Sequence, residues 1–277
     1  MGKSWDGVML DKENPRQGLL KKADLHIHSS ESDGIEKPQK LVDIAIEKGI
    51  HAIAITDHDR FYPSEIAFNY AQQNSLPIEI VKGSEISTQA GHLLVYNKCG
   101  NVRSRQKLED TIREVHRQNG LVVAAHPGLS FVSSISFINI MRIINSPDPE
   151  IYFDGIEVIN GSGRRLQRLD MTNLFFNDTQ EEIQNLFNPG AYDASKVGAV
   201  LAGSDTHTRR LGDVITLYNG DSILIAIKEN KTYVSIEHEE IVTDILESIG
   251  MLYSILRSKT IGSMSRFKRN NAQNSNV

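Results

Sequence analysis

Short apolar runs of strand length alternate with helix-length amphipathic segments along most of the chain. This alternation is typical of folds in which helices cover a parallel sheet, so it predicts a parallel α/β architecture. Seven strands in one long domain fit either a barrel or a doubly wound sheet. The predicted strands are 23–28, 52–56, 78–81, 92–96, 121–125, 155–159 and 199–202. The predicted helices between them are 38–49, 64–74, 106–119 and 134–145.

The pattern changes near residue 235. Residues 20–235 are predicted to form one domain, and residues 236–277 to form a C-terminal helix over 237–257 and a basic, disordered tail. Beyond Glu247 the chain has five basic residues and no acidic ones. The segment 161–196 is predicted to combine helix and loop, with room for features that select a substrate.

Composition limits the classes of function. The 277 residues include 30 basic and 35 acidic side chains, so the net charge of −5 over the whole chain gives no reason to expect nucleic-acid binding. The single cysteine, Cys99, excludes an internal disulfide and a zinc site built from several thiolates. The chain begins without the apolar core of a signal peptide and has no run long enough to span a membrane. We therefore expect a cytoplasmic protein without a membrane partner.

Ligand-type side chains recur at the ends of five predicted strands. Residues two apart on a strand share a face, as His26 and His28 do. In parallel α/β folds the functional site lies at the C-terminal ends of the strands. Convergence at five strand ends predicts a metal site, whereas His51, His116 and His238 are interpreted as structural or surface residues. The converging residues are His26, His28, His58, Glu85, His126, Asp205 and His207.

The ligand types restrict the metal. Imidazole and carboxylate ligands without thiolate suit Zn, Mn or Fe. The set is too large for one ion, so we expect two or three divalent ions that share a bridging carboxylate. Two ions about 3.5–4 Å apart form a clamp used in phosphoryl hydrolysis.

The ordered motifs resemble those of the PHP (polymerase and histidinol phosphatase) family over roughly residues 22–233. The motifs are Asp24-Leu-His-Ile-His28, Ser32-Asp-Gly34, Ile55-Thr-Asp-His-Asp59, Gly83-Ser-Glu-Ile-Ser-Thr88, Gly91-His-Leu-Leu94, Ala125-His-Pro-Gly128 and Gly203-Ser-Asp-Thr-His207. The resemblance implies an α/β fold of PHP type, a distorted seven-stranded (β/α)7 barrel with a trinuclear metal centre.

The resemblance also implies a ligand set. Three groups follow from it: His26, His28, Glu85 and Asp205 for the first metal; Glu85, His92 and His126 for the second; and Asp33, His58 and His207 for the third. Asp24 and Asp57 would orient these ligands. His92 rests on the Gly-His-Leu-Leu pattern alone, and its alternative is a partly buried strand histidine.

The implied activity is hydrolysis of a phosphomonoester or a nucleotide-type phosphate. A hydroxide that bridges two metals would attack phosphorus, with Glu85, Asp205 and His207 as the central catalytic ligands. His207 or His58 is the alternative general acid. The remaining alternatives are a hydrolase of the same architecture that acts on a carboxylic ester, carbamate or amide, and a non-catalytic metal-binding module.

Substrate recognition is predicted from basic residues near strand ends. Arginine is favoured for phosphate because its fork binds two oxygens. Asp33 in place of histidine resembles relatives that act on nucleotides or short oligonucleotides, so nucleic acid is expected only as a short substrate. However, those relatives commonly carry a helical insertion that residues 93–125 are too short to hold, which predicts a more open site. The candidate phosphate-binding residues are Arg164, Arg165, Arg209 and Arg210.

Overall fold

A computed structural model describes residues 20–97, 102–127, 133–161 and 198–237 of the chain. Within these ranges the strands are β1 (Lys21–Ile27), β2 (Ala52–Ile55), β3 (Glu79–Thr88), β4 (Gly91–Tyr96), β5 (Leu121–Ala124), β6 (Gly155–Asn160), β7 (Ala199–Gly203), β8 (Val214–Tyr218) and β9 (Thr232–Ile236). The helices are α1 (Pro38–Glu47), α2 (Tyr62–Gln73), α3 (Leu108–Arg117), α4 (Phe137–Ile144) and α5 (Ile223–Lys228). No helix in the described ranges combines the length and apolar character that a membrane crossing requires.

The seven predicted strands are all present, and the four predicted helices lie close to their predicted bounds. Two strands, β8 and β9, and the short helix α5 were not predicted. The prediction for the third strand was too short, because β3 continues to Thr88 and Glu85 lies inside it. The segment 161–196 and the helix expected over 237–257 fall, apart from Gly161 and Glu237, outside the described residues.

The strands form one sheet in the order β7-β6-β5-β4-β3-β2-β1-β8-β9. Its direction is mixed, not wholly parallel as the alternation predicted. β4 runs antiparallel to both β3 and β5. Its direction relative to β3 follows from the turn of only two residues, Gln89 and Ala90, that joins these two strands. Parallel neighbours need a longer crossover. β8 is antiparallel to β1 and to β9, whereas the other neighbouring strands are parallel.

Side-chain hydrogen bonds bring the two ends of this strand order together. Thr216 Oγ1 in β8 accepts from Ala202 N and donates to Ala202 O in β7, both at 2.9 Å. Thr232 Oγ1 in β9 donates to Val200 O at 2.7 Å. The sheet therefore curls into a nearly closed barrel, which confirms the predicted barrel with two additional strands.

The packing of apolar side chains agrees with this closure. Val81 of β3, Val123 of β5, Leu201 of β7 and Tyr218 of β8 belong to one buried cluster, which strands so distant in the order can form only inside a barrel. A second cluster packs α1 and α2 against β1 and β2, and a third packs α3 and α4 against β4, β5 and β6. The strands are therefore fixed from both sides, and their C-terminal ends are held in place.

Candidate metal centre

All nine residues predicted as metal ligands meet at the C-terminal side of the barrel. His26 is the penultimate residue of β1 and His28 follows it, whereas Asp33 lies in the loop after β1. The other six lie in β3 or β4, or within four residues after the end of β2, β5 or β7: His58, Glu85, His92, His126, Asp205 and His207. Their nitrogen and oxygen atoms form four overlapping groups in which every ligand atom lies within 4.8 Å of the others.

Four of these residues surround one point at the end of β1. His26 Nε2 and His28 Nε2 are 3.2 Å apart. Glu85 Oε2 is 3.4 Å from the first nitrogen and 3.2 Å from the second. Asp205 Oδ1 is 3.5 Å and 3.3 Å from the same two atoms. These two histidines therefore present nitrogens on one side, as their spacing predicted.

Glu85 is the most highly connected carboxylate of the cluster. Its Oε1 lies 2.8 Å from His92 Nδ1 and 2.9 Å from His126 Nε2. Its Oε2 lies 3.1 Å from His58 Nδ1. The side chain is almost fully buried, so solvent does not compete for these contacts. The structure thus brings His92 to the site through the same carboxylate that contacts His126.

Asp33 gathers a second set of imidazoles at the edge of the cluster. Its Oδ2 is 3.2 Å from His207 Nε2 and 3.5 Å from His58 Nε2. Its Oδ1 is 3.4 Å from His28 Nδ1. The other nitrogen of His207 faces the backbone oxygen of Asp205 at 3.1 Å, so Nε2 is the atom directed at Asp33.

Attraction between the imidazoles and carboxylates of the cluster shifts their pKa values in opposite directions. Burial lowers the pKa of His26, but neighbouring carboxylates, Asp205 foremost, raise it well above the usual histidine value. Burial raises the pKa of Glu85, but nearby imidazoles, His58 foremost, lower it well below its usual range. Carboxylates that remain ionised and imidazoles that hold protons form a set in which a metal cation replaces protons.

The donor set fits divalent metal ions. It comprises six imidazoles and three carboxylates without a thiolate, which suits Zn, Mn or Fe. The Nδ1 atom of His28 is buried and forms no hydrogen bond within the described residues. With Nε2 of His28 directed at His26, Glu85 and Asp205, its Nδ1 would carry the ring proton and faces Asp33 Oδ1 at 3.4 Å.

Two backbone conformations in the cluster are unusual. Asp205 has φ +49° and His126 has φ +30°, a region that side-chain-bearing residues rarely adopt. Such conformations persist only where the surrounding structure holds them, and they concentrate at functional sites. Here Asp205 N donates to His26 O at 2.8 Å, which ties the residue after β7 to β1.

Three residues that contact the cluster were not predicted from the sequence: Glu157, Asn160 and Ser134. Glu157 Oε1 lies 3.1 Å from His26 Nδ1, and Ser134 Oγ lies 2.9 Å from His126 Nδ1. Asn160 Nδ2 donates to Glu157 at 3.0 Å. The sequence did carry one signal, because Glu157 is the sole charged residue of the apolar strand β6, and a lone acid in a buried strand marks a functional or paired group.

Asp24 and Asp57, which were predicted to orient the ligands, accept hydrogen bonds mainly from backbone amides. Asp24 accepts from the amides of Ser204 at 3.0 Å and Gly212 at 2.7 Å. Burial raises the pKa of Asp24 to about 6, although these amides lower it. Asp57 accepts from the amide and hydroxyl of Ser29, at 2.9 and 2.6 Å, and so holds the loop that carries Asp33.

The predicted phosphate-binding arginines divide into two pairs. Arg164 and Arg165 lie outside the described residues. Arg209 Nε contacts Glu36 at 2.5 Å, and Arg210 Nε contacts Asp213 at 2.9 Å. Both arginines come shortly after His207 in the sequence. Their described ion pairs, however, are with carboxylates that do not belong to the ligand cluster.

Comparison with known proteins gives one family match and several relatives. The model of the PHP domain family matches residues 24–189. An uncharacterized protein of Methanocaldococcus jannaschii is 29% identical over 154 residues, which cover 52% of this chain and 84% of that protein. A 5'-3' exoribonuclease of Haemophilus influenzae is 40% identical over 70 residues, a quarter of each chain.

Among the solved structures with a similar fold is a two-domain protein of Bacteroides vulgatus that contains a predicted PHP-like metal-dependent phosphoesterase. The TM-score is 0.53 at 19% identity, and the match covers 79% of this chain and 65% of that one. At this identity the likeness concerns the fold, and it agrees with the barrel described above.

Proposed function

Because the chain belongs to the PHP domain family, we propose that it is a metal-dependent phosphoesterase that hydrolyses a phosphomonoester or a nucleotide-type phosphate. The observation that carries this proposal is the shared carboxylate of Glu85. Its two oxygens contact imidazoles from β1, β2, β4 and β5, which is the arrangement that a bridging ligand between two ions requires.

The proposed ligand groups follow the contacts of the cluster. His26, His28 and Asp205 would hold one ion with Glu85. His92 and His126 would hold a second with the same carboxylate, and Asp33, His58 and His207 a third. Bound divalent ions would supply Lewis acidity, an activated water and positive charge for the phosphate oxygens. Side chains of the protein would orient the ligands and bind the rest of the substrate.

The contacts of His207 favour a ligand role over a general-acid role. A neutral imidazole whose Nδ1 faces a backbone oxygen carries its proton on that atom. Its Nε2 faces Asp33 Oδ2 at 3.2 Å, so without an ion this nitrogen can also donate to the carboxylate. With an ion held by Asp33 and His207 together, the Nε2 lone pair would bind the ion, and that nitrogen would have no proton to give to a leaving group.

Phosphate esters are favoured as the substrate class by the relatives with an assigned activity. The exoribonuclease of Haemophilus influenzae cleaves phosphodiester bonds by its name, but the chain spans only a quarter of its length. We therefore propose a phosphate-containing substrate, with nucleotides as the first group to test. Within the described residues, Arg209 is the proposed additional contact to the phosphate.

The decisive experiment combines metal analysis with substrate panels. The purified full chain is analysed for bound elements and then assayed with Mn²⁺ or Zn²⁺ on phosphomonoesters and nucleotides, and in parallel on carboxylic esters and amides. We expect bound metal and turnover of a phosphate ester alone. Turnover of carboxylic esters alone would replace the proposal with a metallohydrolase that attacks carbon, and metal without any turnover would indicate a binding module.

The matching variant is Glu85→Gln. The amide removes the charge that two ions would share, so we expect loss of most bound metal and a fall in kcat of at least about a hundredfold. Glu65→Gln is the control, because Glu65 lies in the first turn of α2 and belongs to none of the ligand groups. Full metal content and full activity in Glu85→Gln would refute the role of the shared carboxylate.

A further inference from the structure

Glu157 is a buried carboxylate on which three donors converge. It lies in β6, and 2% of its surface is exposed. Its Oε1 is 3.1 Å from His26 Nδ1. Its Oε2 accepts from His126 N at 2.7 Å and from Asn160 Nδ2 at 3.0 Å. One side chain therefore contacts segments that follow or form three different strands.

These contacts determine which nitrogen of His26 keeps its proton when the other binds a cation. The carboxylate of Glu157 accepts from His126 N and Asn160 Nδ2 and offers an acceptor oxygen to His26 Nδ1. A ring that gives its Nε2 lone pair to a cation would therefore keep its proton on Nδ1. The Nε2 atom of His26 lies 3.4 Å from Glu85 Oε2 and 3.5 Å from Asp205 Oδ1, inside the proposed ligand group.

The same network reaches Asp205. The amide nitrogen of Asn160 donates to Glu157 and also lies 3.2 Å from Asp205 Oδ2. Asp205 thereby keeps Oδ1 directed at His26 and His28. Glu157 thus contacts or influences three proposed ligands. It faces the ring of His26, accepts from the backbone amide of His126, and reaches Asp205 through Asn160.

We propose that Glu157 is a positioning residue that sets the proton location and orientation of His26 and, through Asn160, the orientation of Asp205, so that metal affinity depends on it. The inference rests on the proposed function only in requiring that these residues hold a divalent ion. Partners of this kind commonly control metal affinity without touching the metal.

The test is Glu157→Gln in the full chain. A glutamine side chain offers one acceptor oxygen and one donor NH₂ group, so it cannot accept from all three donors. Either His26 moves its proton to Nε2, or the amides of His126 and Asn160 lose their acceptor. With Mn²⁺ titrated into the metal-free protein and followed by electron paramagnetic resonance, we expect the Kd to rise about 10- to 100-fold.

Asp154→Asn is the matched control. Asp154 directly precedes β6 and also accepts from a histidine ring, His116 Nε2 at 3.0 Å, and from a backbone amide, Val122 N at 2.8 Å. It belongs to none of the ligand groups. This variant should lose thermal stability and keep the Mn²⁺ affinity of the unmodified protein. An unchanged Mn²⁺ affinity in Glu157→Gln would overturn the proposal and would mean that Glu157 contributes only to the stability of the fold.

A second measurement applies if Glu157→Gln fails to fold. Long-range ¹H–¹⁵N spectra of the unmodified protein loaded with Zn²⁺ report which ring nitrogen of His26 bears the proton, with the signal assigned by its loss in His26→Gln. A proton on Nδ1 supports the proposal, and a proton on Nε2 overturns it. Both measurements are independent of turnover, so a protein inactive on phosphate esters would refute the proposed function without affecting this result.

Discussion

Arg209 and Arg210 differ in how exposed they are and therefore in how strongly their ion pairs hold their guanidinium groups. The side chain of Arg209 is 68% exposed, and its described ion pair is with Glu36. Exposed pairs of this kind contribute little to stability, so Arg209 can exchange Glu36 for a phosphate at small cost. The side chain of Arg210 is only 29% exposed and is paired with Asp213, the residue directly before β8. Arg209 is therefore the better candidate for a substrate contact.

The prediction at the residue scale is that Arg209→Gln raises KM for a phosphate ester roughly tenfold, about 1.4 kcal/mol, with kcat and metal content little changed. The reason is that the lost contact binds substrate and transition state alike. Steady-state kinetics and elemental analysis check it. Arg210→Gln is the comparison and should keep KM, so a rise in KM confined to Arg210→Gln would contradict the assignment.

Gly203 shows how one strand end controls the spacing of the site. A Cβ atom at this position would lie 2.4 Å from His26 Cβ and 2.7 Å from Glu157 Oε1. Real Cβ atoms do not approach so closely, and neither neighbour is free to move, because both are buried. The absence of a side chain at Gly203 therefore lets β7 pack directly against His26 and Glu157, which are in contact with each other.

The prediction at the scale of elements is that Gly203→Ala separates His26 from Glu157. We expect a loss of about 1–3 kcal/mol in the free energy of unfolding and weaker Mn²⁺ binding. Gly220→Ala is the control, because its φ of +102° makes alanine strained while no heavy atom lies within 4 Å of the added Cβ. Both variants should unfold at lower temperature. If both also kept the original Mn²⁺ affinity, the spacing set by Gly203 would not matter for the site.

The elements also show what the sequence could predict. Seven of the nine candidate ligands were predicted because strands of a parallel unit end on one side, so local motifs such as His26-Ile-His28 indicate the position of a site without knowledge of the fold. The other two, Asp33 and His92, were predicted from the family resemblance. The direction of β4 was not predictable in this way. The turn at Gln89 and Ala90 lacks the Asn-Gly or Asp-Gly signal of a tight hairpin, so β3 and β4 read as separate strands.

The strands β8 and β9 were missed for a different reason. Val214–Tyr218 is fully buried and only five residues long, and its pairing depends on β1, nearly two hundred residues earlier in the chain. Short apolar runs carry little information about their partners. Glu157 was missed because its role depends on His26 and His126, which only the closed barrel brings to it.

At the scale of the molecule, the proposed centre lies where the barrel closes. His28 N donates to Thr206 O at 3.0 Å, so the segment after β7 is bound to β1 at the ligands themselves. Ions held by residues of β1 and of the segment after β7 would join two strands that lie six places apart in the strand order. Metal binding is therefore expected to stabilise the whole barrel, since ions bind the folded state and not the unfolded chain.

The pH dependence of this stabilisation follows from the protons that the cluster holds. Carboxylates raise the pKa values of His26, His28, His58 and His126 above the ordinary 6.5, against the effect of burial. A raised pKa stabilises the metal-free fold fully below pH 6.5, and this contribution is lost as the pH rises through the raised values. The metal-free protein should therefore have a lower Tm at pH 8.5 than at pH 6.5.

The rise in Tm that metal binding causes should depend on pH in the opposite sense to the Tm of the metal-free protein. Ions must displace the histidine protons, so affinity increases with pH, and the rise in Tm on adding Mn²⁺ should be larger at pH 8.5 than at pH 6.5. At a thousandfold excess over Kd the gain is about 4 kcal/mol per site, or roughly 10 °C. Calorimetry in buffers of different ionisation enthalpy should detect proton release on binding. A Tm gain independent of pH, with no proton release, would mean that Mn²⁺ binds elsewhere than at these histidines.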